Sequence, residues 1–205
     1  MSSRKNIFLF FTACAMLSLI SATDKAPVMI KWAILKDCTV KVNGSTNINK
    51  FSCSIPDYLR SDTLTCSRTG NDVPVALTGR LALPVISFDC GNNMMTNDLR
   101  KTLKAKEFPS LNIYFISLDK YPELTNTQES ITGIVNIELA GVSKKIEINY
   151  RISMDEQKII HLVGTQTIRF SDFALVPPRK LGGMIRADDK LDVVFRVNFK
   201  RISDS

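Results

Sequence analysis

The feature that most constrains the fold of this chain is an alternation of apolar and polar side chains with a period of two residues. It is clearest in the segments 75–85, 131–139, 146–154 and 191–200. Successive side chains of a β-strand point to opposite faces of the sheet. Each segment is therefore predicted to be a strand with one buried face and one solvated face.

Short polar segments separate these strands and favour tight connections between antiparallel neighbours. Together with the additional apolar segments, they give about eight strands in one all-β domain. Such a meander either closes into a barrel or folds into a sandwich, and eight strands suit a barrel that is packed or holds one small ligand. The predicted turns are 140–143, 155–157 and 187–190, and the further predicted strands are 32–42, 47–55, 111–118 and 159–171.

One segment departs from the strand pattern. Thr96-Asn97-Asp98 resembles a helix start, Leu99 and Leu103 are spaced four residues apart, and Pro109 follows. The sequence predicts a short helix over 97–106 that covers one opening of the barrel. Its basic residues are interpreted as a solvated face, with contact to an anionic headgroup as the alternative. These residues are Arg100, Lys101, Lys104 and Lys106.

The N-terminal segment is typical of a secretory signal peptide. Arg4 and Lys5 precede an apolar run, and small residues end it at Ala22. We expect a signal peptide over 1–22 and a β-barrel domain over 23–205, in a periplasmic or secreted protein that is not an integral membrane protein. Processing at Cys14 to give a lipoprotein is the alternative.

The cysteine content of the exported chain favours disulfide bonding. Four cysteines remain after residue 22, namely Cys38, Cys53, Cys66 and Cys90. Three pairings are possible, and an oxidising compartment favours one or two disulfides. We expect Cys53–Cys90 to be the pair, while buried free thiols remain the alternative. The cysteine spacing and the single histidine disfavour a metal site.

Catalytic motifs are absent from the sequence, so a non-enzymatic function is favoured. A serine triad would need His161, which has no nucleophile motif beside it and is interpreted as structural. A carboxylate-dependent hydrolase remains possible in principle, because its acids need not be adjacent in sequence. Removal of Arg4 and Lys5 lowers the net charge from +7 to about +5, which with no nucleic-acid motif disfavours nucleic acid as a partner.

Four motifs, in this order, resemble those of the YceI-like family. VNGSTNINKFSC at 42–53 resembles the family's opening hairpin, and DLRKTLKAKEFP at 98–109 resembles its central helix and following strand. The hairpin ITG…GVSKKI at 131–146 and the strand IRFSDFAL at 168–175 are also similar. The resemblance covers residues 32–200. Ala174 replaces the family's usual glycine, and the four cysteines resemble a cysteine-bearing subgroup.

The resemblance implies a single antiparallel, lipocalin-like barrel that holds a polyisoprenoid or similar amphiphilic lipid, without a cofactor. Arg169 or the helix lysines would meet a headgroup at an opening. A homodimer is possible. A filled barrel that serves as a protein-interaction or structural module is the alternative, because periodicity cannot separate a packed core from an apolar cavity. The residues expected to line the interior are Ile113, Phe115, Phe170, Phe173, Leu191, Val193, Phe195 and Phe199.

Overall fold

The computed structural model describes residues 26–56, 58, 60, 62–70 and 73–202. The expected signal peptide over 1–22 and the alternative processing site at Cys14 lie outside these residues. The α-helix α1 is Asn93–Thr102, and the 3₁₀ helices are Val85–Ser87, Phe170–Phe173 and Leu181–Gly183. The strands of the described residues are β1 Val28–Ile34, β2 Thr39–Thr46, β3 Lys50–Ile55, β4 Thr63–Arg68, β5 Val75–Pro84, β6 Ser110–Leu118, β7 Glu129–Leu139, β8 Val142–Met154, β9 Ile159–Arg169, β10 Arg179–Lys180 and β11 Ile185–Ile202.

Eight of the strands close into an antiparallel barrel. Their order is β1-β4-β5-β6-β7-β8-β9-β11, and β11 returns to β1 where Phe199 pairs with Ile34. The hairpin of β2 and β3 extends the wall along the first part of β11, where Val42 pairs with Val193. The predicted barrel of about eight antiparallel strands with one short helix is confirmed.

The segment predicted as one strand over 32–42 is interrupted. Residues 35–38, between β1 and β2, leave the strand and are held by hydrogen bonds to β11. The backbone N–H of Leu35 donates to the carbonyl of Asn198 (2.8 Å), and the Asn198 amide donates to the carbonyl of Asp37 (3.1 Å). The interruption turns Cys38 inward, so that β1 and β2 contribute to different parts of the wall.

The helix begins earlier than the sequence predicted, at Asn93 instead of Asn97. The side chain of Asn92 accepts hydrogen bonds from the backbone N–H groups of Met94 and Met95. Asparagine is a strong N-cap because it satisfies N–H groups that the first turn leaves unpaired. The helix ends at Thr102, and Lys104 then adopts a left-handed conformation with φ of 53°.

The predicted turn over 187–190 is wrong, because these residues belong to β11. The register shifts between Ala187 and Leu191, which is a bulge and not a chain reversal. Asp188 and Asp189 are held there by the hydroxyls of Ser45 (2.5 Å) and Ser171 (2.5 Å). These hydrogen bonds accommodate two adjacent acids in a continuous strand.

A disulfide joins Cys53 in β3 to Cys90, just before α1. The expected pairing is therefore confirmed, while Cys38 and Cys66 are free and buried. Burial raises the pKa of Cys38 to about 11 and that of Cys66 to about 12, despite a hydrogen bond from the Asn198 backbone that lowers the former. Both thiols therefore stay protonated at neutral pH. Among the described residues, Cys53–Cys90 is therefore the one disulfide.

Candidate ligand-binding cavity

One half of the barrel interior is filled by its own side chains. Trp32 of β1 packs against Phe199 of β11, with ring centroids 5.7 Å apart, and against Tyr121 at 6.2 Å. Ile152 and Ile160 are also almost completely buried. This half has the close packing of an ordinary core.

The other half contains an apolar cavity, which we call the bore. Its cavity volume is about 80 Å³. The bore is therefore narrow. All but two of its lining residues are apolar, and none is charged. They are Val40, Val42, Leu81, Phe88, Leu99, Leu103, Leu111, Ile113, Phe115, Ile137, Leu139, Ile148, Tyr150, Gln166, Ile168, Leu191, Val193, Phe195 and Val197.

Helix α1 covers the bore, as the sequence predicted. Leu99 and Leu103, one turn apart, are buried and line it. The Arg100 guanidinium donates a hydrogen bond to the carbonyl of Phe88 (2.9 Å), which fixes the helix to the chain after β5. The Cys53–Cys90 disulfide tethers the same region to β3.

An open groove adjoins the bore beside α1. Its volume is about 260 Å³, and Leu99 lines both the bore and the groove. Apolar side chains, including Ile48 and Met94, form much of its wall. Lys180 and Asp98 also line the groove and form an ion pair with an N–O distance of 2.5 Å. The polar groups on this side therefore lie outside the bore.

Five of the residues expected to line the interior lie together in the wall of the bore. Ile113 and Phe115 project from β6, and Leu191, Val193 and Phe195 project from β11. Each set is spaced two residues apart, as the alternation requires. Their position agrees with the expected lining, while their contact with a ligand stays a prediction.

The other expected residues lie elsewhere. Phe170 lines the groove, Phe173 is buried in the 3₁₀ helix, and Phe199 belongs to the packed half. Arg169 lies on the outer surface, because Ile168 beside it faces the bore and adjacent strand residues point to opposite sides. The structure therefore does not bring Arg169 to the bore.

The helix cations are mostly solvated. Lys101, Lys104 and Lys106 are exposed. The Arg100 guanidinium instead donates a hydrogen bond to the Phe88 carbonyl. None of these four residues lines the bore or the groove. Their interpretation as a solvated face agrees with this geometry.

The sequence interpretation missed two polar residues of the wall. Tyr150 lies on the inward face of β8, in an alternating segment that the sequence did identify. Gln166 lies on the inward face of β9, where it interrupts an otherwise apolar series. A polar residue at an inward position was the available signal for Gln166.

His161 lies in a shallow groove on the outer wall. Its ring nitrogens contact Asp155 (2.9 Å) and Asn198 (2.8 Å). Partial burial lowers the His161 pKa, but the hydrogen bonds to these two residues outweigh it and raise the pKa above its usual value. Ser153 pairs with His161 across β8 and β9 and lines the same groove, but both ring nitrogens contact Asn198 and Asp155 and not the serine hydroxyl. His161 therefore has the contacts of a structural histidine and not of a base that activates a nucleophile.

Among the described residues, no group of three or more His, Cys, Asp or Glu side chains is arranged to hold a metal ion. In the same part of the chain, no helix has the length and apolar character needed to cross a bilayer.

Comparison with known proteins identifies the fold. A polyisoprenoid-binding domain from Saccharophagus degradans, implicated in plant cell wall breakdown, superposes with a TM-score of 0.63 at 10% identity, covering 82% of this chain and 97% of that one. Burkholderia cenocepacia BcnA gives a TM-score of 0.54 at 11% identity, covering 78% and 95%. This chain has the fold of these proteins. The resemblance in sequence to YceI-like proteins is thus confirmed at the level of the fold.

A Campylobacter jejuni YceI protein gives a TM-score of 0.45 at 19% identity, covering 62% of this chain and 73% of that one. No family model and no curated protein matches the sequence.

Proposed function

We propose that this protein is an exported, non-catalytic carrier that holds a polyisoprenoid or similar linear amphiphile in the bore. The observation that carries the proposal is a narrow cavity whose wall is apolar except for Tyr150 and Gln166. Transfer of apolar surface from water into such a cavity contributes about 25 cal/mol per Å² before ordering costs. A long hydrocarbon chain suits this wall better than a compact polar metabolite does.

Two further observations support parts of the proposal. The Saccharophagus degradans domain of the same fold binds polyisoprenoid, which supports the ligand class. The Cys53–Cys90 disulfide supports export, because such bonds persist in oxidising compartments. The hydrolase alternative is disfavoured because the bore is lined by no carboxylate.

Adjacent residues of β11 provide a matched pair of variants. Val193 faces the bore, whereas Val194 faces the outer groove and pairs with Lys41. Val193→Asp places an unpaired carboxylate against apolar walls, which opposes binding of a hydrocarbon chain. Val194→Asp places the same charge on the outside. Val193→Trp is a second inward variant that fills the bore without adding a charge.

The test is organic extraction and mass spectrometry of protein purified without detergent from an exporting host. We expect a long-chain amphiphile at near-stoichiometric amount in the wild type and in Val194→Asp, and its loss from Val193→Trp and from folded Val193→Asp. A wild-type protein that is empty and refuses added polyprenol would favour the filled-barrel interaction module. Full occupancy in Val193→Trp would place the ligand elsewhere.

A further inference from the structure

The hydroxyl of Tyr150 is buried without a hydrogen-bond partner among the described residues. Only 2% of the residue is exposed. A buried tyrosine hydroxyl normally finds a partner, since leaving it unpaired forfeits the hydrogen bonds it makes with water. The Trp32 Nε1 and Arg100 Nε atoms are also buried and unpaired, but of these three residues only Tyr150 lines the bore, where a ligand could supply the missing partner.

The ring of Tyr150 is held in place by its neighbours. It packs edge-on against Phe195, with centroids 5.7 Å apart. On β7 the ring lies over Gly133, where a Cβ would come within 2.6 Å of its Cε2 atom. Residue 133 must therefore lack a side chain for the ring to lie there. These contacts keep the hydroxyl inside the barrel.

The second polar residue of the wall lies close to Tyr150. Tyr150 pairs with Gly164 across β8 and β9, and Gln166 is two residues further along β9 on the same face. Such diagonal neighbours have Cα atoms about 7–8 Å apart, within reach of long side chains. The Gln166 amide donates to the Thr167 carbonyl (3.3 Å), and its side-chain oxygen accepts no hydrogen bond from the described residues.

We infer that the bore recognises a neutral oxygen of its ligand, a hydroxyl or a carbonyl, by a hydrogen bond to Tyr150, with Gln166 as the second polar group. The inference rests on the proposed function and names its ligand class: an oxygen-bearing chain, rather than a plain hydrocarbon or a chain whose phosphate is buried. No cation lines the bore, so a phosphate inside it would be an uncompensated buried charge.

Tyr150→Phe should have a small effect on affinity, and only for ligands that contain an oxygen. One neutral hydrogen bond changes binding by about 3- to 10-fold. Tyr150→Phe should therefore weaken binding of geranylgeraniol by this factor and leave binding of the corresponding oxygen-free hydrocarbon unchanged. The empty variant should be at least as stable as the wild type, because it removes a hydroxyl that has no partner. A purely structural role would instead lower stability and affect both ligands equally.

A matched control is available on β6. Tyr114 lies on the outer face, where its hydroxyl donates to Glu138 (3.2 Å). Tyr114→Phe removes the same atom without touching the bore, so both affinities should stay at their wild-type values. The measurement is the dissociation constant of each ligand for the delipidated full-length protein, obtained by competition against one fluorescent polyene.

The outcomes separate the inference from the proposed function. Equal binding of both ligands, unchanged in Tyr150→Phe, would overturn the role of Tyr150 while leaving lipid binding intact. Failure of the wild type to bind either ligand would overturn the proposed function and the inference together. Tighter binding of geranylgeranyl phosphate than of the alcohol, abolished by Val193→Trp, would overturn the preference for a neutral oxygen.

Discussion

The position of the Phe195 ring in the wall of the bore depends on Gly164, which lies against that ring. A Cβ at Gly164 would lie 2.0 Å from the Cζ atom of Phe195. Carbon atoms in ordinary contact are about 3.5–4.0 Å apart, so Gly164→Ala must displace the ring by about 1.5 Å or more. Because Phe195 lines the bore, we expect this displacement to alter the cavity as well as the packing.

Two effects of opposite sign decide the stability of Gly164→Ala. Replacing a strand glycine by alanine contributes about 0.5–1 kcal/mol through backbone entropy. Overpacking a close-packed interior costs about 1–3 kcal/mol. The second effect wins, and we expect a net loss of about 1 kcal/mol in the free energy of unfolding.

Urea unfolding of a double-mutant cycle measures this balance. In a Phe195→Leu background the ring is gone, so Gly164→Ala should be neutral or stabilising, with a coupling energy of about 1–2 kcal/mol. Gly70→Ala is the control, because the nearest atom to its Cβ would be Val73 Cγ2 at 3.4 Å. A Gly164→Ala variant as stable as the wild type, with coupling under about 0.5 kcal/mol, would refute this account of the bore.

Three further predictions concern the rest of the barrel. Replacing Cys53 and Cys90 together by alanine opens a link across 37 residues, and loop entropy predicts a loss of about 4 kcal/mol in urea unfolding; a loss under about 1 kcal/mol would contradict it. Cys66, whose pKa burial raises to about 12, should resist iodoacetamide at pH 8 in the native state and react in urea. The pKa of His161 in the folded state is raised above 6.5, so its pairing with Asp155 should stabilise the fold fully below pH 6.5. This stabilisation should decrease as the pH rises through the raised pKa, and His161→Asn should abolish the pH dependence.

Local sequence patterns predicted the regular hairpins well. The turn between β7 and β8 lies at Ala140-Gly141, within the predicted segment 140–143, because the two residues supply the positive φ angles of a two-residue turn. The helix start was less predictable, since Asn92 and Thr96 are both favourable N-cap residues in sequence. The adjacent acids of 187–190 resembled a turn because their serine partners come from distant segments.

The candidate site was predictable only where it depends on alternation within one strand. Alternation correctly grouped Leu191, Val193 and Phe195, and applied to Ile168 it would also have placed Arg169 outside. It could not separate Phe195 from Phe199, which occupy equivalent positions in β11. Phe199 meets Trp32, and this contact joins opposite ends of the chain. Long-range contacts of this kind decide which part of the interior is filled.

The division of the interior has a consequence for what the bore accepts. The packed half around Trp32 closes one end, so under the proposed function a chain that entered beside α1 would reach a fixed depth. Tyr150 and Gln166 are the two polar residues that line the bore. Gly133 and Gly164 leave room there for the rings of Tyr150 and Phe195. Selectivity would therefore arise from where an oxygen lies along the chain, as much as from chain length. A wall without charged residues favours this, since a misplaced oxygen would lose its hydrogen bonds to water without gaining one from Tyr150.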